Sequence, residues 1–271
     1  MNELEFTILG CGSSGGVPRA DGFWGACDPA DPRNRRSRCS LLVRRPADRL
    51  QGPQTTVVID TSPDFRLQMA ETGADRIDGV LFTHDHADQV HGIDDIRAFA
   101  LRQRARVNCW MDAATRQTLE QRFGYIFKDQ AGYPAIANLL ALPGFGSRFE
   151  VNGPSGPIPF ETFPQDHGGV TSIGYRIADV AYSSDVVGLN QQAFDALGNL
   201  DVWIVDALRW TPHPTHAHVD LALEWIARVK PRRAILTNMH VDLDFEILAA
   251  QLPKGVEPAF DAMTWRSPIL D

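Results

Sequence analysis

Phe82-Thr83-His84-Asp85-His86-Ala87-Asp88-Gln89-Val90-His91-Gly92 is the stretch from which the fold is read. It begins at the end of the apolar run Val80 to Phe82, which has the β-branched character of a buried strand, and runs into an amphipathic stretch, Asp94 to Leu101. A turn between strand and helix is where open α/β architectures collect ligands and catalytic groups. Two imidazoles at i and i+2 in such a turn can face one cation, and Asp88 adds a carboxylate at the opening of the next helix. A lone His-x-His says little about a metal; the aspartate two residues further on, behind a strand, says much more.

Outward from this turn, β-branched runs alternate with amphipathic stretches. Strands are predicted for Glu5 to Leu9, Thr56 to Ile59, Val80 to Phe82, Val107 to Trp110, Ile173 to Ile177, Val202 to Val205 and Ala234 to Leu236. Helices are predicted for Asp94 to Leu101, Ala113 to Phe123, Gln191 to Leu197, Val219 to Val229 and Phe245 to Gln251, each with apolar spacing near 3.6. The alternation implies buried α/β layers in one domain over residues 1–271, with no splitting linker. Gly124 to Gly156 is the least regular part and reads as a lid or an assembly surface.

The 271 residues are 44% hydrophobic, too apolar for a mostly disordered chain. A net charge of −8 disfavours extended nucleic-acid binding while leaving room for a local basic pocket. Six arginines between Arg33 and Arg45 suit a solvated, salt-bridged loop, with phosphate binding as the alternative. The longest uncharged stretch, Gln130 to Ser147, carries Pro134, Pro143 and three glycines, which excludes it as a membrane helix. An acidic opening with no apolar segment behind it lacks the pattern of a secretory signal, so a cytoplasmic location is expected. Cys11, Cys27, Cys39 and Cys109 include no Cys-x-x-Cys pair and are expected to be free thiols.

All eight histidines fall in four short segments, most of them after a predicted strand and beside carboxylates. Besides the first turn these are Asp166-His167, His213-Pro-Thr-His216-Ala-His218 and Asn238-Met-His240. A metal site accounts for that distribution more economically than packing does.

The first turn resembles the His-x-His-x-Asp-His motif of the metallo-β-lactamase superfamily, and the resemblance covers nearly the whole chain. Gly10-Cys11-Gly12-Ser13-Ser14-Gly15-Gly16-Val17-Pro18 looks like the Gly-rich turn of the phosphoribosyl 1,2-cyclic phosphate phosphodiesterase branch, which is related to ribonuclease Z-type hydrolases. His167 is similar to the third histidine, and Tyr182-Ser183-Ser184-Asp185 to the turn whose carboxylate bridges two metals. His216, 22 positions before Asn238, has the spacing that separates the branch's catalytic histidine from its last metal ligand. The resemblance implies an αββα sandwich, two mixed sheets flanked by helices, with His84, His86, Asp88, His167 and Asp185 as ligands of one or two divalent ions, zinc or manganese. It also implies a homodimer.

Two positions depart from the pattern. Gln89 stands where the family has histidine, and Leu236-Thr237-Asn238 ends where the family has Leu-Thr-His. Both losses fall on the same metal, leaving three outcomes: a single ion, a mixed or manganese-loaded pair, or a displaced second site that uses His91 or His240. Those two histidines are otherwise candidates for substrate contact. Only Cys27 stands where the branch has a cysteine-rich structural zinc site.

Metal-activated water makes hydrolysis the reaction class that fits, and the resemblance, with the arginine run, implies a small cyclic or nucleotide-like phosphate ester as substrate, with His216 as the acid for the leaving alkoxide. Asp206 is placed to orient His216, and Asp60 to support the metal loop. Asp64 suits an N-cap, while His213 and His218 suit exposed loop positions. The alternatives are a non-hydrolytic carrier of the cofactor-biosynthesis type on the same fold, and a hydrolase of another ester class.

Overall fold

The computed structural model describes residues 3–47, 52–130 and 132–269. Chain order in the first half is β1 (Glu3–Gly10), β2 (Ser40–Arg45), β3 (Thr55–Ile59), α1 (Phe65–Thr72), β4 (Gly79–Leu81), α2 (Ala87–Val90), α3 (Arg97–Gln103), β5 (Val107–Met111), α4 (Ala113–Phe127) and β6 (Ala137–Ala141). The second half holds β7 (Arg148–Val151), β8 (Ile158–Asp166), β9 (Thr171–Ile177), β10 (Val180–Ser183), α5 (Gln191–Ala196), β11 (Val202–Asp206), α6 (Val219–Val229), β12 (Arg233–Thr237), α7 (Phe245–Gln251), β13 (Val256–Pro258) and β14 (Thr264–Pro268).

Two seven-stranded mixed sheets form, ordered β14-β1-β2-β3-β4-β5-β6 and β13-β12-β11-β10-β9-β8-β7. Period-2 alternation explains why they stack. Leu41, Val43, Val57 and Ile59 turn toward the second sheet and meet Phe160, Tyr175 and Trp203 in the interlayer core. Leu42, Val58 and Val80 turn the other way and pack under the helices of the first half with Phe65, Val90 and Ile96. Each large side chain so buried contributes ~1.5–3 kcal/mol, and strands with both faces covered read as continuous apolar runs. On the far side α6 buries Val219, Ala222, Trp225 and Ile226, the stripe its sequence spacing requires, and stops at Lys230, whose φ of 56° is left-handed. No helix among the described residues is long and apolar enough to cross a membrane.

The structure corrects the sequence reading in two stretches. The arginine run is not one loop: Ser40–Arg45 is β2, paired on both sides with β1 and β3. The irregular stretch from Gly124 to Gly156 holds the end of α4 and two edge strands, β6 on one sheet and β7 on the other; residue 131 within it lies outside the described residues. The connection between the sheets therefore runs through this stretch. A smaller change is that Ile93–Ile96 is a 3-10 turn ahead of α3.

Strands β3 to β6 run parallel, as do β10 to β13, so their carboxyl ends gather along one rim. The residues that follow β3, β4, β10, β11 and β12 there are Asp60, His84, Asp185, Asp206 and Asn238 or their immediate neighbours.

Candidate metal centre

The rim is built from Asp60, which sits just past β3 with a left-handed φ of 63° and is fully buried. It accepts hydrogen bonds from the Thr83 backbone N–H (2.8 Å) and the Thr83 hydroxyl (2.8 Å). Burial pushes the Asp60 carboxyl well above its ordinary range, and the two Thr83 bonds pull against that. The Thr83 hydroxyl proton is committed to Asp60, so its oxygen accepts from His84 Nδ1 at 3.0 Å. That leaves the lone pair on His84 Nε2, a buried atom with no hydrogen-bond partner. An orphaned buried nitrogen is costly unless something binds it.

His167, past the end of β8, is oriented in the same way: Nδ1 donates to the Thr215 carbonyl at 2.7 Å, which turns the lone pair of Nε2 to His86 Nδ1 at 3.3 Å. The rings of His84, His86 and His167 stand 4.5–5.1 Å apart. One nitrogen from each lies within 4.8 Å of the others. Burial lowers the His84 pKa to about 4 and also lowers that of His167, so both rings are neutral at neutral pH, the form that ligates metal. Three converging imidazoles, two of them with their outer nitrogens held by oxygen acceptors, fit a divalent cation.

Asp185, also left-handed at φ 56° and buried, closes the other side. Its Oδ1 lies 3.9 Å from His167 Nε2 and 4.0 Å from His216 Nδ1, so His167, Asp185 and His216 make a second set within ligating range. Burial works to raise its pKa, but the facing His84, His216 and His167 outweigh it and hold the carboxyl below its usual value. His216 Nδ1 lies 2.9 Å from Asp206 Oδ2, with Asp206 wholly buried. Burial opposes the charged imidazole, yet the bond and charge of Asp206, with Asp185 and Asp88, raise His216 to about 9. Burial raises Asp206 to about 6 against the pull of the same histidine. At neutral pH the pair is imidazolium and carboxylate.

Asp88 faces this cluster from the first turn of α2, raised to about 6 by burial and by the charge of Asp185. Gln89 is fully buried and donates from Nε2 to Asp88 (3.2 Å) and Asp185 (3.1 Å). The Asn238 amide, left-handed at φ 62°, lies 3.1 Å from His216 Nδ1.

Other predicted residues are not drawn in. His91 is exposed and packs edge-on against Phe123 at 5.8 Å. His240 bonds Arg19 through Nε2, while its Nδ1 lies 3.1 Å from Asp242; neither histidine belongs to a ligating cluster among the described residues. Asp64 precedes α1 without capping it, and instead accepts from the Arg38 backbone N–H at 2.9 Å. His213 is not an exposed loop residue: it is half-buried, with its ring tilted against His216 at 5.1 Å. His218 is half-buried too, before α6. Sequence reasoning missed Thr83 and Thr215, the two groups that hold the histidine tautomers. Thr83 was open to detection as the residue before His84, whereas the Thr215 contact is a backbone carbonyl that carries no side-chain signal. The four cysteines are buried free thiols, and none joins a metal-ligating cluster among the described residues.

A family model for a beta-lactamase superfamily domain matches residues 55–239. Among curated proteins, an octanoyltransferase from Porphyromonas gingivalis is 27% identical over 265 residues, 96% of this chain and 51% of that protein. The chain thus spans about half the length of the curated relative it matches. Among solved structures, a diphosphatase from the PhnP family superposes with a TM-score of 0.83 at 30% identity, covering 98% of both chains. Zn(2+)-bound PqqB from Methylobacterium extorquens follows at a TM-score of 0.74 and 15% identity, over 96% of this chain and 99% of that one, a likeness of fold. The histidine turn behind β4, the paired seven-stranded sheets and a family match over more than half the sequence agree, and the chain belongs to the metallo-β-lactamase superfamily.

Proposed function

We propose that the chain is a metal-dependent hydrolase of the phosphodiesterase type, acting on a small phosphate ester. The observation that carries this reading is the orphaned His84 Nε2 among converging imidazoles, next to a charged His216–Asp206 pair. His84, His86 and His167, with Asp185, are the residues to hold a divalent cation, for which we propose zinc or manganese. Such an ion lowers the pKa of a water toward neutrality and polarises a phosphoryl oxygen.

The chain's own groups supply the rest. Asp60 orients His84 through Thr83, and the Thr215 carbonyl orients His167. Asp206 fixes the His216 ring by Nδ1, which leaves Nε2 as the nitrogen to protonate a leaving alkoxide. A carrier would have no use for this pair, which favours hydrolysis over carriage. A cavity of about 610 Å³ opens beside Asp88, lined by Ser14, Gly15, Arg19 and Arg38. Arg19 is braced there by His240 and by the Phe23 ring, 5.6 Å from its guanidinium carbon. Two guanidinium groups beside the metal residues suit an anionic ester.

We further propose one domain, since β1 and β14 from opposite ends of the chain pair with each other, and a cytoplasmic setting, which the free thiols favour. A homodimer is proposed on family likeness, with exposed Tyr125 and Tyr133 as its surface; light scattering tests it.

The test of function is turnover of bis(p-nitrophenyl) phosphate by protein purified without chelator, in matched samples given Mn²⁺ or Zn²⁺. Turnover that is lost in His84→Ala and in His216→Ala is expected. Protein with no bound metal and no turnover would overturn the proposal.

A further inference from the structure

Gln89 and Asn238 stand where a second metal would take its own ligands, and the structure shows what their amides do instead. Gln89 spends both hydrogens of Nε2 on carboxylates, one on Asp88 Oδ2 at 3.2 Å and one on Asp185 Oδ2 at 3.1 Å. The opposite amide orientation would set Oε1 against two carboxylates and leave the hydrogens unused, so the observed one is the orientation the surroundings allow. Gln89 Oε1, the only atom of the side chain able to ligate a cation, is buried without a partner and is not the atom turned to the carboxylates. The Asn238 amide lies against the His216 ring, 3.1 Å from Nδ1.

The histidines do not compensate. Among the described residues the groups within ligating range form two sets, His84/His86/His167 and His167/Asp185/His216, and Asp88 is in neither. Both sets need His167, whose Nδ1 is committed to the Thr215 carbonyl at 2.7 Å. A neutral imidazole nitrogen binds one ion, so the two sets cannot each hold an ion, and His216 Nδ1 is already engaged by Asp206 at 2.9 Å.

We infer that the centre holds one divalent cation, and that the Gln89 amide replaces the second by cross-linking Asp88 to Asp185. This rests on the metal-dependent reading above. Gln89 is then a positioning residue: it holds two carboxylates together that a second cation would otherwise bridge, and it does so with neutral donors.

Elemental analysis of the full chain, purified without chelator and equilibrated with Mn²⁺ or Zn²⁺ before desalting, tests this. One equivalent per chain is expected in the wild type, with the isolated-ion spectrum in electron paramagnetic resonance of the Mn²⁺ form. The double substitution Gln89→His/Asn238→His is expected to take two equivalents and to show an exchange-coupled manganese pair. Two equivalents in the wild type would overturn the inference and leave the hydrolase reading intact; no metal at all would remove the metal-dependent reading itself. A folded double variant, checked by circular dichroism, that still takes one equivalent would overturn the assignment to these amides. Should that variant not fold, the wild-type stoichiometry and spectrum decide alone.

Discussion

His216 Nδ1 lies 2.9 Å from Asp206 Oδ2, and the carboxylate is wholly buried while the imidazole reaches the rim where the three other histidines meet. Burial alone would discharge His216; Asp206 reverses that and lifts it to about 9. Its proton is therefore present below about pH 9 and lost above. Turnover is expected to fall along an alkaline limb near that value. Asp206→Asn removes the partner's charge, so the limb moves down toward the ordinary histidine range near 6.5. A pH–rate profile in which the Asn variant keeps the wild-type limb would refute the assignment.

Loss of the acid should slow chemistry without emptying the metal site. His216→Ala is expected to lower kcat by roughly 10²- to 10⁴-fold, with metal content within error of wild type. An unchanged kcat would remove His216 from the reaction.

Asp60 touches no candidate ligand directly, yet Thr83 passes its influence to His84. Asp60→Ala should weaken metal affinity by about 10- to 100-fold, read by competition with a chromophoric chelator. Affinity equal to wild type would mean that Thr83 holds His84 unaided.

Arg19 serves the proposed substrate cavity and not the metal. Arg19→Ala is expected to raise KM by about tenfold or more, the cost of one hydrogen bond from a charged donor, while kcat changes less. A fall in kcat at constant KM would contradict a binding role.

Far from the rim, Asp244 caps α7 by accepting from Ile247 N–H (3.1 Å), and it also accepts from Asp28 N–H (3.0 Å) and the Asn34 amide (2.7 Å). Burial would raise its pKa, but these donors together hold it below the usual carboxylate range. A depressed pKa means stability that is present above the unfolded value near 3.9 and is lost as pH falls through the folded value. Asp244→Ala should cost about 1–2 kcal/mol at pH 7. The difference in Tm from wild type should shrink below about pH 4; a constant difference down to pH 3 would show that charge plays no part.

Much of this arrangement could be read from residue order. Helices α6 and α7 have the bounds that apolar spacing predicts, because Trp225, Ile226, Phe245 and Leu248 recur on one buried face. Histidine positions in short turns after strands located the rim. Strand β2 was hidden because Arg44 and Arg45 close it and four more arginines precede it, so charge outweighed the buried triplet Leu41-Leu42-Val43. Pro159 and Pro164 hid most of β8, since proline argues against a strand, although both take paired positions in the sheet. Contacts such as Gln89 with Asp185, 96 residues apart in sequence, depend on how the sheets stack, which no local pattern encodes.

The Tyr175 hydroxyl of β9 donates to the Phe82 carbonyl at 2.6 Å, tying the second sheet to the residue just ahead of the histidine turn of the first. His84 and His86 belong to one sheet and His167 to the other, so a cation held by all three would rivet two layers whose contact is otherwise mostly apolar. Its binding free energy becomes resistance to delamination, and the stripped protein should unzip first along this rim. Hydrogen exchange at Thr83 and His167, faster in metal-free protein than in loaded protein, would make that seam visible.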